Sequence, residues 1–215
     1  MTKLIFRKTP LVYSGLFILL VLGVSSNSAL IHYLDNAIFN LVAMSDSHRL
    51  TTFMIYVSSI ASPLIVSVLA TILLILNRHQ LSKSIYLVTF YFGTSTLALL
   101  LKHLVHRTRP HFQLFPDTGF SFPSGHSICM ILFYQVLLVL LAGRKDTSAT
   151  LMRWGALLMT LALLFSRVYL RDHFPTDILG SLCLAMASYS FFQPLFWENR
   201  NFKVIKGREE SLKVG

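Results

Sequence analysis

Charge is what this chain has least of. Of its 215 residues only nine are Asp or Glu, and all charged types together make up 13%. A soluble globule of this size cannot clothe its surface from so small a stock, so that class is excluded. Cysteine is nearly absent as well. Cys129 and Cys183 both lie inside apolar stretches, read as small buried hydrophobes, and provide no disulfide framework. Repeats, low-complexity tracts and linkers are missing too, so residues 1–215 read as a single integral membrane domain.

Apolar residues are what the chain has instead: 54% of it is hydrophobic, with 17 Phe. Lipid accepts apolar side chains around the whole circumference of a helix, which water does not. Six apolar segments stand out, near Leu11–Val24, Thr52–Leu76, Ile85–Leu101, Ile128–Ala142, Gly155–Tyr169 and Ile178–Trp197. The expected fold is therefore all-α, a polytopic membrane protein with six transmembrane helices. The first segment has the basic flank and Ser-rich follow-on of a signal peptide, but its length and flanks favour a true span. Between the first two segments Leu30, Leu34, Ile38 and Leu41 recur at helical spacing, with Asp35, Asn36 and Asn40 off that stripe. Two readings fit: an amphipathic helix in the outer interface, or a helical extension packed on the bundle.

The net charge of +10 would suggest nucleic acid if the basic residues made one patch. They are scattered between apolar segments, which argues against a nucleic-acid partner and reports topology instead. With the N-terminus inside, Lys3, Arg7, Lys8, Arg78, Lys83, Arg144, Lys145, Arg153, Arg200, Lys203, Lys206, Arg208 and Lys213 fall on the cytoplasmic side. Arg49, Lys102, Arg107, Arg109, Arg167 and Arg171 fall outside. Thirteen against six obeys the positive-inside rule and predicts two cytoplasmic termini in a cell membrane.

Three clusters interrupt the apolar pattern, all on the external side. Lys102 to Pro110 follows the third segment, Pro123-Ser124-Gly125-His126 opens the fourth, and Ser166-Arg167, His173 and Asp177 bridge the fifth and sixth. Lys102, Arg109 and Arg167 concentrate positive charge where unpaired charge is costly. Acidic residues in the loops concerned are few, only Asp117, Asp172 and Asp177, so a phosphate is the expected neutralising partner. Ser124-Gly125 would add free backbone N–H groups at a helix start. His173 and Asp177 stand four apart, so the carboxylate can orient the imidazole for attack. His126, beside the Ser-Gly turn, can give a proton to a departing oxygen.

Each feature alone has an ordinary explanation: snorkelling, topology or loop punctuation. Together, in this order and spacing, they resemble the type 2 phosphatidic acid phosphatase family, whose pattern is K-x6-RP, PSGH and SR-x5-H-x3-D. Lys102 to Arg109-Pro110, Pro123 to His126, and Ser166-Arg167…His173…Asp177 match it without a gap. The motif-bearing core covers about residues 85–197.

The resemblance implies a phosphohistidine on His173 oriented by Asp177, with His126 protonating the leaving group. It implies that Lys102, Arg109, Ser124, Gly125 and Arg167 hold the phosphate, with no metal and no cofactor. By analogy with compact bacterial members, the partner expected is a phosphorylated membrane lipid. Undecaprenyl diphosphate stands first, then phosphatidylglycerophosphate or phosphatidate, with the site facing outward. Rival readings are a phosphotransferase using the same site, a non-catalytic phospholipid-binding protein, and a metal site on His103, His106 and His111. Phe112, Phe115, Phe120 and Phe122 are expected to anchor their loop at the interface.

Overall fold

The computed structural model describes residues 2–79 and 81–212, with side chains described for residues 9–79 and 83–196. The elements are α1 (Thr2–Ser25), α2 (Ala29–Ala43), α3 (His48–Ile60), α4 (Pro63–Leu76), α5 (Leu81–Val105), α6 (Gly125–Leu140), α7 (Thr147–Tyr169) and α8 (Pro175–Leu212). No strand occurs among the described residues. Large apolar side chains such as Leu11, Leu64, Leu104 and Leu151 point outward, while Ser124, Arg167, Asp172, His173 and Asp177 are buried. Water would not tolerate that inversion; lipid around the helices explains it.

Among the described residues three helices are long and apolar enough to cross a membrane: Lys83–Val105, Thr147–Tyr169 and Pro175–Phe196. The number rises to five if each of two bent pairs counts as one span. The sequence predicts six. One difference is the Thr52–Leu76 segment, which breaks into α3 and α4 with a bend of 44°. Ser62 accepts from the Ile65 N–H at 3.4 Å as the cap of α4, and Pro63 takes its first position. A residue before proline avoids the helical region, so Ser62-Pro63 ends one helix and starts the next. The second difference is α6, only 16 residues long. It is enclosed by α4, α5, α7 and α8 and buries side chains all round, the pattern of a core helix.

Helix α2 resolves the two readings of its amphipathic stripe. The chain turns 94° between α1 and α2 through Asn27, whose φ of 48° lies in the left-handed region that Asn tolerates. The helix then packs on α7 and α8. Its buried residues are Ile31 and Asp35, while Leu30 and Leu41 are exposed. The apolar stripe therefore marks the outward face, and the residue that looked solvent-facing is the one turned inward.

Several basic residues behind the topological expectation, namely Lys3, Arg7, Lys8, Arg200, Lys203, Lys206, Arg208 and Lys213, lie outside the described side chains, as does Trp197.

Candidate active site

Each of the three sequence clusters sits where a helix ends or begins, and local backbone rules set its spacing. Lys102 lies in the last turn of α5. The helix stops at Val105, His106 takes a φ of 53°, and the chain runs on to Arg107, Arg109 and Pro110. At the end of α7, Arg171 has a φ of 58°. That left-handed residue folds the chain back so that the N–H groups of Asp172 and His173 both reach the Arg167 carbonyl, at 3.2 and 3.1 Å. The five residues between Arg167 and His173 are what a helix end plus this reversal requires. Asp177 then lies in the first turn of α8, and its Oδ2 accepts from the Phe174 N–H at 2.9 Å. The carboxylate thus caps the helix it belongs to.

The cradle residues converge. The Arg109 Nη1 donates to the Asp172 carbonyl at 2.8 Å and lies 3.3 Å from His173 Nε2. Arg167, 2% exposed, donates to Ser58 Oγ at 2.5 Å and to Asp117 Oδ2 at 2.8 Å. Its Nη1 is also 3.0 Å from Asp172 Oδ2. The Lys102 ammonium donates to the Phe120 carbonyl at 2.9 Å. His126, in the first turn of α6, feels the charges of Arg167, His173 and Asp117.

Because an arginine can only donate, the contact at His173 Nε2 makes that nitrogen the acceptor and leaves the ring proton on Nδ1. Nδ1 lies 3.5 Å from Asp177 Oδ2, within ion-pair range but long for a hydrogen bond. Burial first, then Arg167, Lys102 and Arg109, holds the imidazole neutral well below the usual histidine range. A neutral ring whose Nε2 lone pair faces the Arg109 guanidinium has the form a nucleophile needs beside a cluster of cations. Among the described residues, four of the five buried side-chain atoms without a hydrogen-bond partner lie here: Arg167 Nε, both Asp172 oxygens, although Oδ2 is ion-paired with Arg167, and His173 Nδ1; the fifth is Gln135 Oε1. Such orphans are rare in folded proteins and mark places where function overrides satisfaction.

Three expectations need correction. The cations are not left for a phosphate alone: Asp117 Oδ2 bridges Arg109 at 3.1 Å and Arg167 at 2.8 Å. Burial pushes the Asp117 carboxyl up, but these two arginines outweigh it and hold it below the usual carboxylate range. The sequence hides this because the loop must fold back to bring Asp117 under the arginines.

Second, the Ser124 N–H is not free. It donates to Ser181 Oγ at 3.0 Å, while Ser124 Oγ accepts from Ser127 Oγ at 2.9 Å. The single Ser181 hydroxyl proton points between the Asp177 carbonyl at 2.9 Å and the Ser124 carbonyl at 3.2 Å, so α8 clamps the start of α6. The N–H groups left for an anion at this turn are those of Gly125 and His126, which have no backbone partner among the described residues.

Third, Phe122 does not anchor the loop at the interface. It is fully buried, stacked on Phe17 at 5.9 Å, and its peptide bond to Pro123 is cis. Phe112 and Phe115 are exposed.

The metal alternative finds no geometry. Among the described residues no group of three or more His, Cys, Asp or Glu side chains could hold an ion. His103 and His106 instead pack against the Phe120 ring, at 5.8 and 4.2 Å.

The sequence assigned no role to Arg107, Asp35, Thr176, Ser58 or Ser181, all of which enter the site. Arg107 Nη1 donates to Asp177 Oδ1 at 2.6 Å and Thr176 Oγ1 at 2.8 Å, and Nη2 donates to Asp35 Oδ2 at 2.6 Å. Its guanidinium also lies 3.9 Å from the centre of the Phe174 ring. The available signal was Arg107 itself, an arginine that the positive-inside reading puts on the wrong side.

Known proteins share this frame. A solved PAP2 type phosphatidylglycerolphosphate phosphatase from Bacillus subtilis superposes with a TM-score of 0.74 at 22% identity, covering 86% of this chain and 94% of that one. LpxE of Aquifex aeolicus follows with a TM-score of 0.56 at 21% identity, covering 72% and 93%. In sequence, phosphatidylglycerophosphatase B of Bacillus subtilis is 31% identical over 134 residues, 59% of this chain and 59% of that protein. The protein of the same name from Haemophilus influenzae is 39% identical over 110 residues, 50% of this chain and 40% of that one. The matches thus span between two fifths and three fifths of the lengths of these two relatives. The profile of the PAP2 superfamily covers residues 82–201, from the start of α5 into α8 and so across all three clusters, and the chain belongs to that superfamily.

Proposed function

We infer that this protein is a lipid phosphate phosphatase that works through a phosphohistidine, without metal or cofactor. The observation that carries the reading is the placement of His173 Nε2, 3.3 Å from Arg109, with its proton on the side of Asp177. Nε2 would supply the electron pair of a new N–P bond as the P–O bond to the leaving group breaks. His126 would give its proton to the departing oxygen, and the arriving phosphate brings the negative charge that favours a protonated imidazole there. Arg109, Arg167, Lys102 and the N–H groups of Gly125 and His126 would hold the oxygens of the transferring group. Water, deprotonated by His126, would then cleave the N–P bond and return the pair to Nε2.

The substrate proposed is a phosphorylated membrane lipid. Undecaprenyl diphosphate leads by analogy with compact bacterial members, but both curated relatives carry the name phosphatidylglycerophosphatase B. That puts phosphatidylglycerophosphate first, with phosphatidate and undecaprenyl diphosphate behind it. Six spans, two cytoplasmic termini and an outward site remain the proposed topology, supported by the distribution of basic residues.

The test is phosphate release from a panel of the three lipids by one purified preparation, with no acceptor added. Release is expected; no release, with the phosphoryl group appearing instead on a lipid hydroxyl once one is supplied, would make the protein a phosphotransferase. His173→Ala should lower turnover by roughly a thousandfold or more and abolish an acid-labile phosphoenzyme. Wild-type turnover in that variant overturns the nucleophile. His126→Ala should hurt lipid substrates most and partly spare a p-nitrophenyl ester, whose leaving group needs no proton.

A further inference from the structure

Behind His173 stands a buried relay that the three motifs do not contain. Asp177 Oδ1 pairs with Arg107 Nη1 at 2.6 Å, and Arg107 Nη2 pairs with Asp35 Oδ2 at 2.6 Å. Asp35 comes from α2, yet its oxygens also accept from the Thr176 N–H at 2.9 Å and the Thr176 hydroxyl at 3.0 Å. Asp35 and Asp177 are 1% and 0% exposed, and Arg107 is 10% exposed. With both carboxylates ionised, two against one guanidinium leave one negative charge in excess, enclosed and on the Nδ1 side of His173.

That excess has a chemical use. Once Nε2 bonds phosphorus, Nδ1 keeps its proton and the ring carries a positive charge until water cleaves the N–P bond. Were Arg107 paired with Asp177 alone, the two would cancel and little field would act on the ring. Asp35 takes up the second arm of Arg107, fixes its orientation and restores the negative charge. Burying three ionised groups is costly, so a merely structural tie between α2 and α8 would be better made from apolar side chains.

We propose that Asp35 and Arg107 are positioning residues for phosphoryl transfer: they lock Asp177 beside His173 and make the relay negative, which stabilises the charged ring. The proposal rests on His173 being the nucleophile.

Asp35→Asn removes the charge while keeping the shape and an acceptor for Thr176. In lipid vesicles its kcat should fall roughly 10–100-fold, the range known for groups that act through a ligating or reacting neighbour. Phosphoenzyme formation in rapid-quench experiments should slow by the same factor. Inhibition by inorganic phosphate, which reports the cradle, should stay within about twofold of wild type, because only the charged ring needs the relay. Asp35→Glu should recover part of kcat. A wild-type kcat in Asp35→Asn overturns the proposal, as does a loss of phosphate inhibition in step with turnover, the mark of a structural role.

Should Asp35→Asn fail to fold, Arg107→Lys keeps the cation but loses the fork that reaches both carboxylates, and the same split is expected. His173→Ala separates the levels. A phosphoenzyme that survives it refutes the nucleophile, whereas one that needs His173 but forms at the wild-type rate in Asp35→Asn refutes only the relay.

Discussion

Asp172 and His173 are neighbours, both buried, and burial drives their proton equilibria in opposite directions. Burial raises the Asp172 carboxyl from 3.8 to about 6, although Arg167 pulls the other way. It pushes His173 well below the usual 6.5. The signs follow from linkage. Asp172 contributes stability that is present below 3.8 and lost as pH rises through about 6. His173 contributes stability that is present above 6.5 and lost as pH falls. Asp172→Asn removes the first effect and leaves the second. The melting temperature of the variant, relative to wild type, should therefore rise by a few degrees between about pH 4.5 and about pH 6.5. Parallel curves for the two proteins would show that Asp172 is not the group that titrates.

At this scale the motif residues were legible because each cluster is local: His173 and Asp177 stand four residues apart across the start of α8, and Lys102 and Arg109 flank one helix end. Asp35 and Thr176 are 141 residues apart, and Asp117 reaches Arg167 across 50. No spacing rule joins such pairs. They meet only because the chain folds.

Helix α8 packs closely against the loop that leads into α6. A Cβ added at Gly180 would lie 2.5 Å from two atoms of the Phe122 ring. That ring is fully buried against Phe17 and has nowhere to go. Gly180→Ala should cost about 1–3 kcal/mol of stability through overpacking. It should also disturb the adjoining Ser181 clamp on Ser124. Thermal unfolding in detergent checks the first, and weaker inhibition by inorganic phosphate the second. An unchanged midpoint would mean that the helices can slide apart freely.

Elements were easier to find than to orient. The apolar stripe of α2 was visible, but in lipid such a stripe marks the outward face, so the side carrying Asp35 turns inward. The Thr52–Leu76 run looked continuous because hydropathy averages over Ser62-Pro63, whereas the backbone does not.

Across the whole molecule, the polar site gathers at one end of the bundle, from the loop after α5, the start of α6 and the turn between α7 and α8. The turn between α6 and α7, with Arg144 paired to Asp146 at 2.8 Å, is exposed at the opposite end of both helices. A cysteine in place of Phe112, which is 88% exposed, should react with an impermeant maleimide in intact cells lacking Cys129 and Cys183. One in place of Lys145 should react only after the membrane is opened. Labelling with the sides reversed would turn the proposed topology over. The number of spans was less legible than the helical class, because length and hydropathy do not separate a lipid-facing helix from a fully enclosed one such as α6.

Arg109 is held from several sides at once. Its Nε lies 3.1 Å from the Thr118 and Gly119 carbonyls, Nη2 donates to Thr118 at 2.9 Å and Nη1 to Asp172 at 2.8 Å. A free arginine side chain carries about 2 kcal/mol of rotamer entropy. Here that freedom is surrendered when the chain folds, so an arriving phosphate group need order only itself.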